Sequence, residues 1–129
     1  MRTIFQDIIE DIIPAHKFYE DQDTIAILDI NPVTKGHTLV IPKLAVDHLD
    51  DCPPEVYAAV FQTTQKVSKI LKESFNPERI AIVVHGYEIP HAHVHVVPMY
   101  TGKELSLANR GKPARTAHQL SADIATIRK

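Results

Sequence analysis

The sequence is poor in cysteine, in long apolar runs and in excess charge of either sign. Its single cysteine, Cys52, excludes an intramolecular disulfide and a cysteine-rich zinc site, and it favours a reducing cytoplasm. No apolar run approaches the roughly 20 residues that cross a bilayer, and the N-terminal residues contain no signal-peptide core. A net charge of −2 offers no basic face for nucleic acid. We therefore expect a cytoplasmic protein with neither a membrane nor a nucleic-acid partner.

What the sequence does contain is the pattern of one α+β domain. At 129 residues, with 44% hydrophobic and 23% charged residues, the chain is long enough for one independent core. Helical spacing of apolar residues predicts one helix over 3–13 and a longer one over 54–75. Short apolar segments predict five strands, over 16–20, 24–30, 36–41, 79–84 and 91–97. Short turns favour antiparallel pairing, so we expect a five-stranded meander sheet with two main helices.

Two further expectations concern positions in the fold. The segment 79–84 is nearly all apolar, which predicts a central strand. Residues 100–116 show no convincing periodicity, so we expect a surface loop there, followed by a short terminal helix over 121–128. We therefore divide the chain into a domain over 1–99 and a C-terminal extension over 100–129. The extension is expected to pack on that domain or on a dimer partner.

The most informative segment is a row of histidines. His91, His93 and His95 alternate with small apolar residues, which is the period of a strand. Successive side chains of a strand point to opposite faces, so the three imidazoles share one face and their apolar neighbours face the core. A row of imidazoles on a rigid strand is well placed for chemistry near neutral pH.

Three interpretations of this row are open from the residues alone. A single metal ion bound by all three histidines would need severe distortion, because His91 and His95 lie about 13 Å apart along the strand. A site with two of them would need a further ligand, such as His37 or Glu88. Alternatively, the histidines are structural and complete a sheet. The third interpretation is catalysis at phosphorus, because an imidazole with a fixed tautomer is a good nucleophile and its neighbours can supply protons. His93 is flanked on both sides and is the natural attacking residue.

The run from His91 to Val97 matches the His-φ-His-φ-His-φ-φ signature (φ is apolar) of the histidine triad (HIT) superfamily of nucleotide hydrolases and transferases. Two other stretches agree with this family: IFQDIIEDIIPAHKFYED at 4–21 and IAILDINPVTKGHTLVIPK at 25–43. The likeness covers about 4–98, and the chain resembles the Hint-type bacterial branch most closely. The resemblance implies a HIT-like fold and a homodimer whose two sheets join into one.

The resemblance also implies an activity and a set of roles. His93 would attack the α-phosphorus of a purine nucleotide and form a nucleotidyl-histidine, with no metal or cofactor required. His95 and His37 would contact phosphate or assist proton transfer, and His91 would order the strand. The expected substrate is a nucleoside phosphoramidate or a dinucleoside polyphosphate. The alternatives are a nucleotide-binding or adaptor protein with little turnover and a nucleotidyltransferase.

The nucleoside is expected to contact residues from the two other family-like stretches. Asp29 matches the acceptor of the ribose hydroxyls, because a carboxylate can receive two hydrogen bonds from a cis-diol; otherwise it is a turn residue before Asn31. The apolar walls around the base match a set of side chains that also suit a plain core: Ile4, Phe5, Ile8, Leu28 and Ile30.

The turn before the triad departs from the family pattern. Tyr87 and Glu88 stand where Hint-type members often have a glutamine and a hydroxyl residue, and an ionised carboxylate cannot donate a hydrogen bond. We expect Glu88 either to hold a proton or to face a cationic leaving group; the alternative is a solvated turn residue. Among the other histidines, His85 is a candidate neighbour of the site. His16, His48 and His118 are expected to be incidental.

Overall fold

The computed structural model describes residues 2–105 and 115–127, which form a five-stranded antiparallel sheet with helices. All strand pairs are antiparallel. The predicted α+β fold is therefore confirmed. The elements in chain order are α1 (Ile4–Ile9), β1 (Lys17–Glu20), β2 (Thr24–Leu28), β3 (Thr38–Pro42), a 3₁₀ turn (Leu49–Asp51), α2 (Pro54–Phe75), β4 (Arg79–Val83), β5 (Val94–Met99) and α3 (Ala117–Thr126).

The order of the last two strands differs from a simple meander. The strands lie in the order β1-β2-β3-β5-β4, so α2 carries the chain past β3 and β5 then returns between β3 and β4. The prediction that segment 79–84 is a central strand is wrong, because β4 forms an edge of the sheet and Ile82 is 51% exposed. Within β4, Ile80 packs against the main core, whereas burial within this chain does not account for the apolar Ile82.

The long helix α2 begins and ends where local signals predict. Pro54 occupies its first turn, Glu55 follows near the positive end of the helix, and Asn76 caps the last turn with a φ of 51°. The buried stripe of α2 packs on β3 and β5, and each fully buried aliphatic side chain contributes about 1.5–3 kcal/mol. Since Ala92, Val94 and Val96 lie in this core, the intervening histidines point to the opposite face.

The opposite face of the sheet carries α1. Thr3 caps this helix, because its hydroxyl accepts the backbone N–H of Gln6. Phe5 and Ile8 of α1 pack on alternate residues of β2 and β3, in a second apolar cluster. The sheet is therefore covered on both faces, and the histidines lie on the face that α1 covers only in part.

The C-terminal helix α3 packs on the same core as α2. Leu120 and Ile127 are buried in that core, and the buried Asp123 pairs with Arg115. The helix begins four residues before the predicted position, since Thr116 and Gln119 form a capping box. Residues 106–114, which belong to the predicted surface loop, lie outside the described residues. Within the described ranges, none of the helices is long and apolar enough to span a membrane.

Candidate functional site

The three histidines of the row are all buried and lie on one face. β5 begins at Val94, so His95 is inside the strand while His91 and His93 lie on its approach. The Phe5 ring of α1 contacts the rings of His91 and His93, with centroids 6.0 and 5.0 Å away. The rings of His93 and His95 have centroids 5.1 Å apart. The predicted common face is therefore present, although regular strand geometry starts later than predicted.

A backbone contact sets the tautomer of His93. Its Nδ1 donates to the carbonyl oxygen of His91 at 2.7 Å. A carbonyl can only accept, so Nδ1 carries the proton and Nε2 holds the lone pair of the neutral ring. His91 is itself held by the carbonyl of Pro42, which accepts from its Nε2 at 2.8 Å. His91 thus ties the approach of β5 to the end of β3 and orients His93.

A second chain of hydrogen bonds sets the tautomers of His37 and His95. The backbone N–H of Val33 donates to His37 Nδ1 at 2.9 Å, so the proton of a neutral His37 ring is on Nε2. That Nε2 lies 2.9 Å from His95 Nδ1, which then accepts. By the same logic, His95 carries its own proton on Nε2. The site therefore combines a lone pair on His93 with a proton donor on His95.

Asp29 supports this chain and lies at the end of β2. Its Oδ2 is 3.5 Å from His37 Nε2, and its Oδ1 accepts the backbone N–H of Asn31 at 2.8 Å. The carboxylate is buried, with 2% exposure, yet it lines the large cavity described below. The two roles expected for Asp29 are therefore compatible, because one carboxylate both holds the turn and borders the cavity.

The metal interpretation can be tested on this cluster. Among the described residues, Asp29, His37 and His95 place possible ligand atoms within 4.8 Å of one another. A metal ligand must offer a lone pair, and a neutral imidazole has only one. In His37 the Val33 N–H occupies that lone pair, so Nε2 presents a proton to the cluster. With this hydrogen bond in place, His37 offers the cluster an N–H and not a third ligand atom.

A cavity of about 560 Å³ lies beside His93. Its volume is within the range of small-molecule sites in proteins. The six side chains expected to contact the nucleoside line this cavity, and so does Glu88, which was also predicted to be a nucleotide-binding residue. Ile4, Ile30 and Glu88 are at exposed positions and the other four are buried. The structure thus brings together residues from α1, from the end of β2 and from the turn before the triad.

A second cavity, of about 320 Å³, lies on another side of His93. The described residues of its wall include Asp47, Asp50, His85 and Tyr87, and no lysine or arginine. Of the residues that the structure describes, His93 is shared by both cavity walls. The imidazole is therefore positioned where ligands in the two cavities would meet.

Some lining residues were missed by the sequence interpretation. His16 and Ala117 line the larger cavity and His48 lines the smaller one, so the expectation that His16 and His48 are incidental does not agree with their positions. His85 borders the site as expected, and His118 is exposed on α3. His16 carried one usable signal, since it lies inside the family-like stretch 4–21. Ala117 carried none.

These features define a small α+β protein with a two-cavity ligand site arranged around a histidine of fixed tautomer. A family model described as the HIT domain matches residues 10–102. An uncharacterised HIT-like protein of Methanocaldococcus jannaschii is 38% identical over 103 residues, covering 77% of this chain and 80% of that protein. The chain therefore belongs to the HIT family, and the resemblance stated from the sequence is confirmed.

Two relatives carry the names of hydrolases. Adenylylsulfatase HINT3 of Arabidopsis thaliana is 34% identical over 100 residues, 74% of this chain and 51% of that protein. An asymmetrical bis(5'-nucleosyl)-tetraphosphatase of Schizosaccharomyces pombe is 31% identical over 86 residues, 63% of this chain and 47% of that protein.

Solved structures agree with the fold across nearly the whole chain. A Hit-like protein of Bartonella henselae superposes with a TM-score of 0.87 at 32% identity, covering 98% of this chain and 95% of that one. A hypothetical histidine triad nucleotide-binding protein of Sulfolobus tokodaii superposes with a TM-score of 0.83 at 26% identity, covering 95% and 87%.

Proposed function

We propose that this protein is a nucleotide hydrolase that cleaves at the α-phosphorus through a covalent nucleotidyl intermediate on His93. The observation that carries the proposal is the hydrogen bond from His93 Nδ1 to the His91 carbonyl, which leaves the lone pair on Nε2 beside a cavity of nucleotide size. The hydrolase names of the Arabidopsis and Schizosaccharomyces relatives support the same class of reaction.

The reaction proceeds by two displacements at phosphorus. First, the lone pair of His93 Nε2 forms a bond to the α-phosphorus while the bond to the leaving group breaks. The leaving atom accepts a hydrogen bond from His95 Nε2 and takes its proton from the solvent. Water then attacks the phosphorus and the P–N bond breaks, which returns the electron pair to His93. The attacking water loses one proton to the solvent, and the product is a nucleoside monophosphate.

The large cavity supplies the nucleoside site in this proposal. The apolar side chains of α1 and β2 enclose a purine base, and Asp29 accepts the ribose hydroxyls. Glu88, in the turn before the triad, lies at an exposed position of the same cavity. In this proposal its carboxylate favours a cationic leaving group.

The smaller cavity distinguishes between the two substrate classes. Asp47 and Asp50 place carboxylates in its wall, and the wall contains no lysine or arginine among the described residues. A second phosphate chain would be repelled by these carboxylates, whereas an amine leaving group would be attracted. We therefore place a nucleoside phosphoramidate ahead of a dinucleoside polyphosphate as the substrate.

A substrate panel tests this proposal. We expect the wild-type protein to hydrolyse a nucleoside phosphoramidate faster than a dinucleoside polyphosphate, with unchanged rates after chelation. His93→Ala should lower kcat by more than about a thousandfold and keep nucleotide affinity. His118→Ala is the matched control, because His118 is exposed on α3 and lines neither cavity.

The same panel separates the alternatives. Mass spectrometry after rapid alkaline quenching should detect the nucleotidyl adduct in wild-type protein and not in His93→Ala. Nucleotide binding without turnover or adduct would indicate a binding or adaptor protein. Turnover that depends on a second nucleotide or sugar phosphate as acceptor would indicate a nucleotidyltransferase.

A further inference from the structure

The end of the large cavity far from the triad contains a histidine outside the triad. His16 lies just before β1, and its carbonyl oxygen accepts the backbone N–H of Leu28 at 3.0 Å. This contact places His16 beside Leu28 at the end of β2, and Asp29 is the residue that follows Leu28. His16 is half-buried, and it lines the cavity together with the apolar residues Ile13, Pro14 and Ala15.

The sheet sets the direction in which a nucleotide would lie. His93 leads into β5 and His16 leads into β1, and across the sheet the order β1-β2-β3-β5 separates them by three strand spacings, about 14 Å. Because β1 and β5 run in opposite directions, the two residues are also offset along the strands. Asp29, at the end of β2, lies between them. A nucleotide with its phosphorus at His93 and its ribose at Asp29 therefore extends its base toward β1, and His16 is the polar cavity-lining residue directly before that strand.

The ring of His16 is held by the C-terminal helix. Its Nε2 lies 3.3 Å from the Ser121 hydroxyl, and Ala117, one turn earlier on the same face of α3, also lines the cavity. The helix is fixed to the domain through the buried Leu120 and through the pairing of Asp123 with Arg115. The base end of the cavity is thus bordered by a histidine and a helix that contact each other.

A serine hydroxyl can both donate and accept, so it stabilises either tautomer of the imidazole bonded to it. The other ring nitrogen, Nδ1, can accordingly present an N–H or a lone pair to a ligand. On this basis we infer that His16, oriented by Ser121, contacts the edge of the base and determines specificity for purines with either a 6-amino or a 6-oxo group. The inference rests on the proposed nucleotide site and adds a recognition residue to it.

The test compares ligands that have a base with one that lacks it. AMP, GMP and ribose 5-phosphate are titrated by NMR into wild-type protein and His16→Leu. We expect His16→Leu to raise the Kd of AMP and of GMP about tenfold, the cost of one lost hydrogen bond to a buried partner. The Kd of ribose 5-phosphate should not change, because this ligand does not reach His16.

Ser121 provides the second measurement. Ser121→Ala should raise the Kd of AMP about threefold in the wild-type background and have no effect in the His16→Leu background, since the hydroxyl acts through the ring. His118→Leu, at an exposed position on the same helix, is the matched control and should bind all three ligands like the wild type. Thermal unfolding of each variant verifies that the fold is kept.

The outcomes separate this inference from the proposed function. If the wild type binds AMP and His16→Leu binds AMP equally well, the role of His16 is overturned. The same conclusion follows if His16→Leu weakens the binding of ribose 5-phosphate as much as that of AMP. Either result leaves the nucleotide site itself in place. An additive effect of Ser121→Ala in the His16→Leu background would overturn the coupling through the ring. Wild-type protein that binds none of the three ligands would overturn the nucleotide site itself.

Discussion

Backbone groups fix the tautomers of three of the four histidines around the site, and the fourth, His95, is set by the ring of His37. The carbonyls of His91 and Pro42 accept from His93 Nδ1 and His91 Nε2, and the N–H of Val33 donates to His37 Nδ1. Each contact is compatible with one neutral tautomer, so it assigns a donor and an acceptor nitrogen to its ring. A nucleophilic nitrogen and a proton donor therefore exist before a substrate binds, which is the preorganisation that catalysis at phosphorus requires.

His37 acts through His95 in this arrangement, and its substitution tests the chain. We expect His37→Ala to lower kcat about a hundredfold with little change in nucleotide affinity, because His95 loses the partner that fixes its proton on Nε2. His37→Gln should recover part of the loss, since its amide can accept from Val33 and donate to His95 Nδ1. Steady-state kinetics and a nucleotide titration provide kcat and Kd.

The conservative variant makes this prediction specific. If His37 only filled space, glutamine and alanine at this position would have the same effect on kcat. If His37 positions His95, glutamine should recover part of the kcat because its side chain can form both hydrogen bonds. Equal kcat values for His37→Gln and His37→Ala, with both proteins folded, would contradict the proposed chain from Val33 to His95.

At the scale of elements, the turn after β5 depends on one carboxylate. Glu104 accepts the backbone N–H groups of Tyr100 at 2.7 Å, of Thr101 at 2.9 Å and of Gly102 at 2.9 Å. Desolvation raises the pKa of Glu104, but these hydrogen bonds outweigh it and lower the pKa to about 2. The ionised carboxylate thus holds the chain where it leaves the sheet toward α3.

This pKa shift predicts the pH dependence of stability. A depressed pKa in the folded state means that the stabilisation is fully present above the ordinary value of 4.5 and is lost as the pH falls toward 2. We expect Glu104→Gln to have a lower Tm than the wild type at pH 7, and the two Tm values to converge between pH 4.5 and 2. Glu73→Gln, at an exposed position on α2, is the control. A difference in Tm that stays constant down to pH 2 would contradict the prediction.

The elements also indicate how far the sequence can predict the fold. The ends of α2 were predicted because Pro54 and Asn76 are local signals, and the faces of β5 were predicted because alternation is a property of one strand. The order of the strands in the sheet was not predicted, because the residue pattern of one strand does not specify which strand lies beside it. The start of α3 was missed because Thr116 and Gln119 signal a cap only when read as a pair.

The same distinction applies to the site. The triad and the walls from 4–8 and 28–30 lie in contiguous stretches that resemble a family, so the sequence could identify them. His16, His48 and Ala117 reach the cavities from separate loops and a separate helix, and only the packed structure brings them there. Hydrogen bonds from backbone groups, such as the one from Val33 to His37, cannot be predicted from side-chain identities either.

At the scale of the whole molecule, the two edges of the sheet differ. The edge strand β1 has an irregular register between Lys17 and Tyr19, and Lys17 pairs with Asp11 and Glu20, features that discourage pairing with another chain. The other edge, β4, has the exposed apolar residue Ile82, and the exposed Val84 directly follows the strand. We propose that β4 pairs with its copy in a homodimer, so that the two sheets become continuous and the apolar residues are buried.

The C-terminal extension fits the same arrangement. α3 packs on the domain of its own chain through Leu120 and Ile127, on the core that also contains α2. The proposed β4 interface is formed at the opposite edge of the sheet from β1 and does not require α3. The division into a domain over 1–99 and an extension over 100–129 remains a proposal, which this packing supports.

The dimer can be disrupted at one position. Ile82→Glu places a carboxylate at the proposed interface on both chains, because a two-fold axis duplicates every substitution. We expect the dimer Kd to rise at least about a hundredfold, given the cost of burying like charges near one another. Sedimentation analysis measures the change. Ile12→Glu, which substitutes an isoleucine that is 63% exposed and outside β4, should leave the association unchanged.

The same variant tests whether the dimer matters for the reaction. Val84 and Tyr87 belong both to the exposed apolar surface near β4 and to the wall of the smaller cavity, whereas the described wall of the large cavity contains neither of them and no residue of β4. A monomeric Ile82→Glu protein should therefore bind AMP like the wild type but hydrolyse a phosphoramidate more slowly, because only the leaving-group side is altered. Wild-type kcat in a monomer would show that one chain forms the complete site. Loss of AMP binding would show that the partner chain reaches the nucleoside cavity as well.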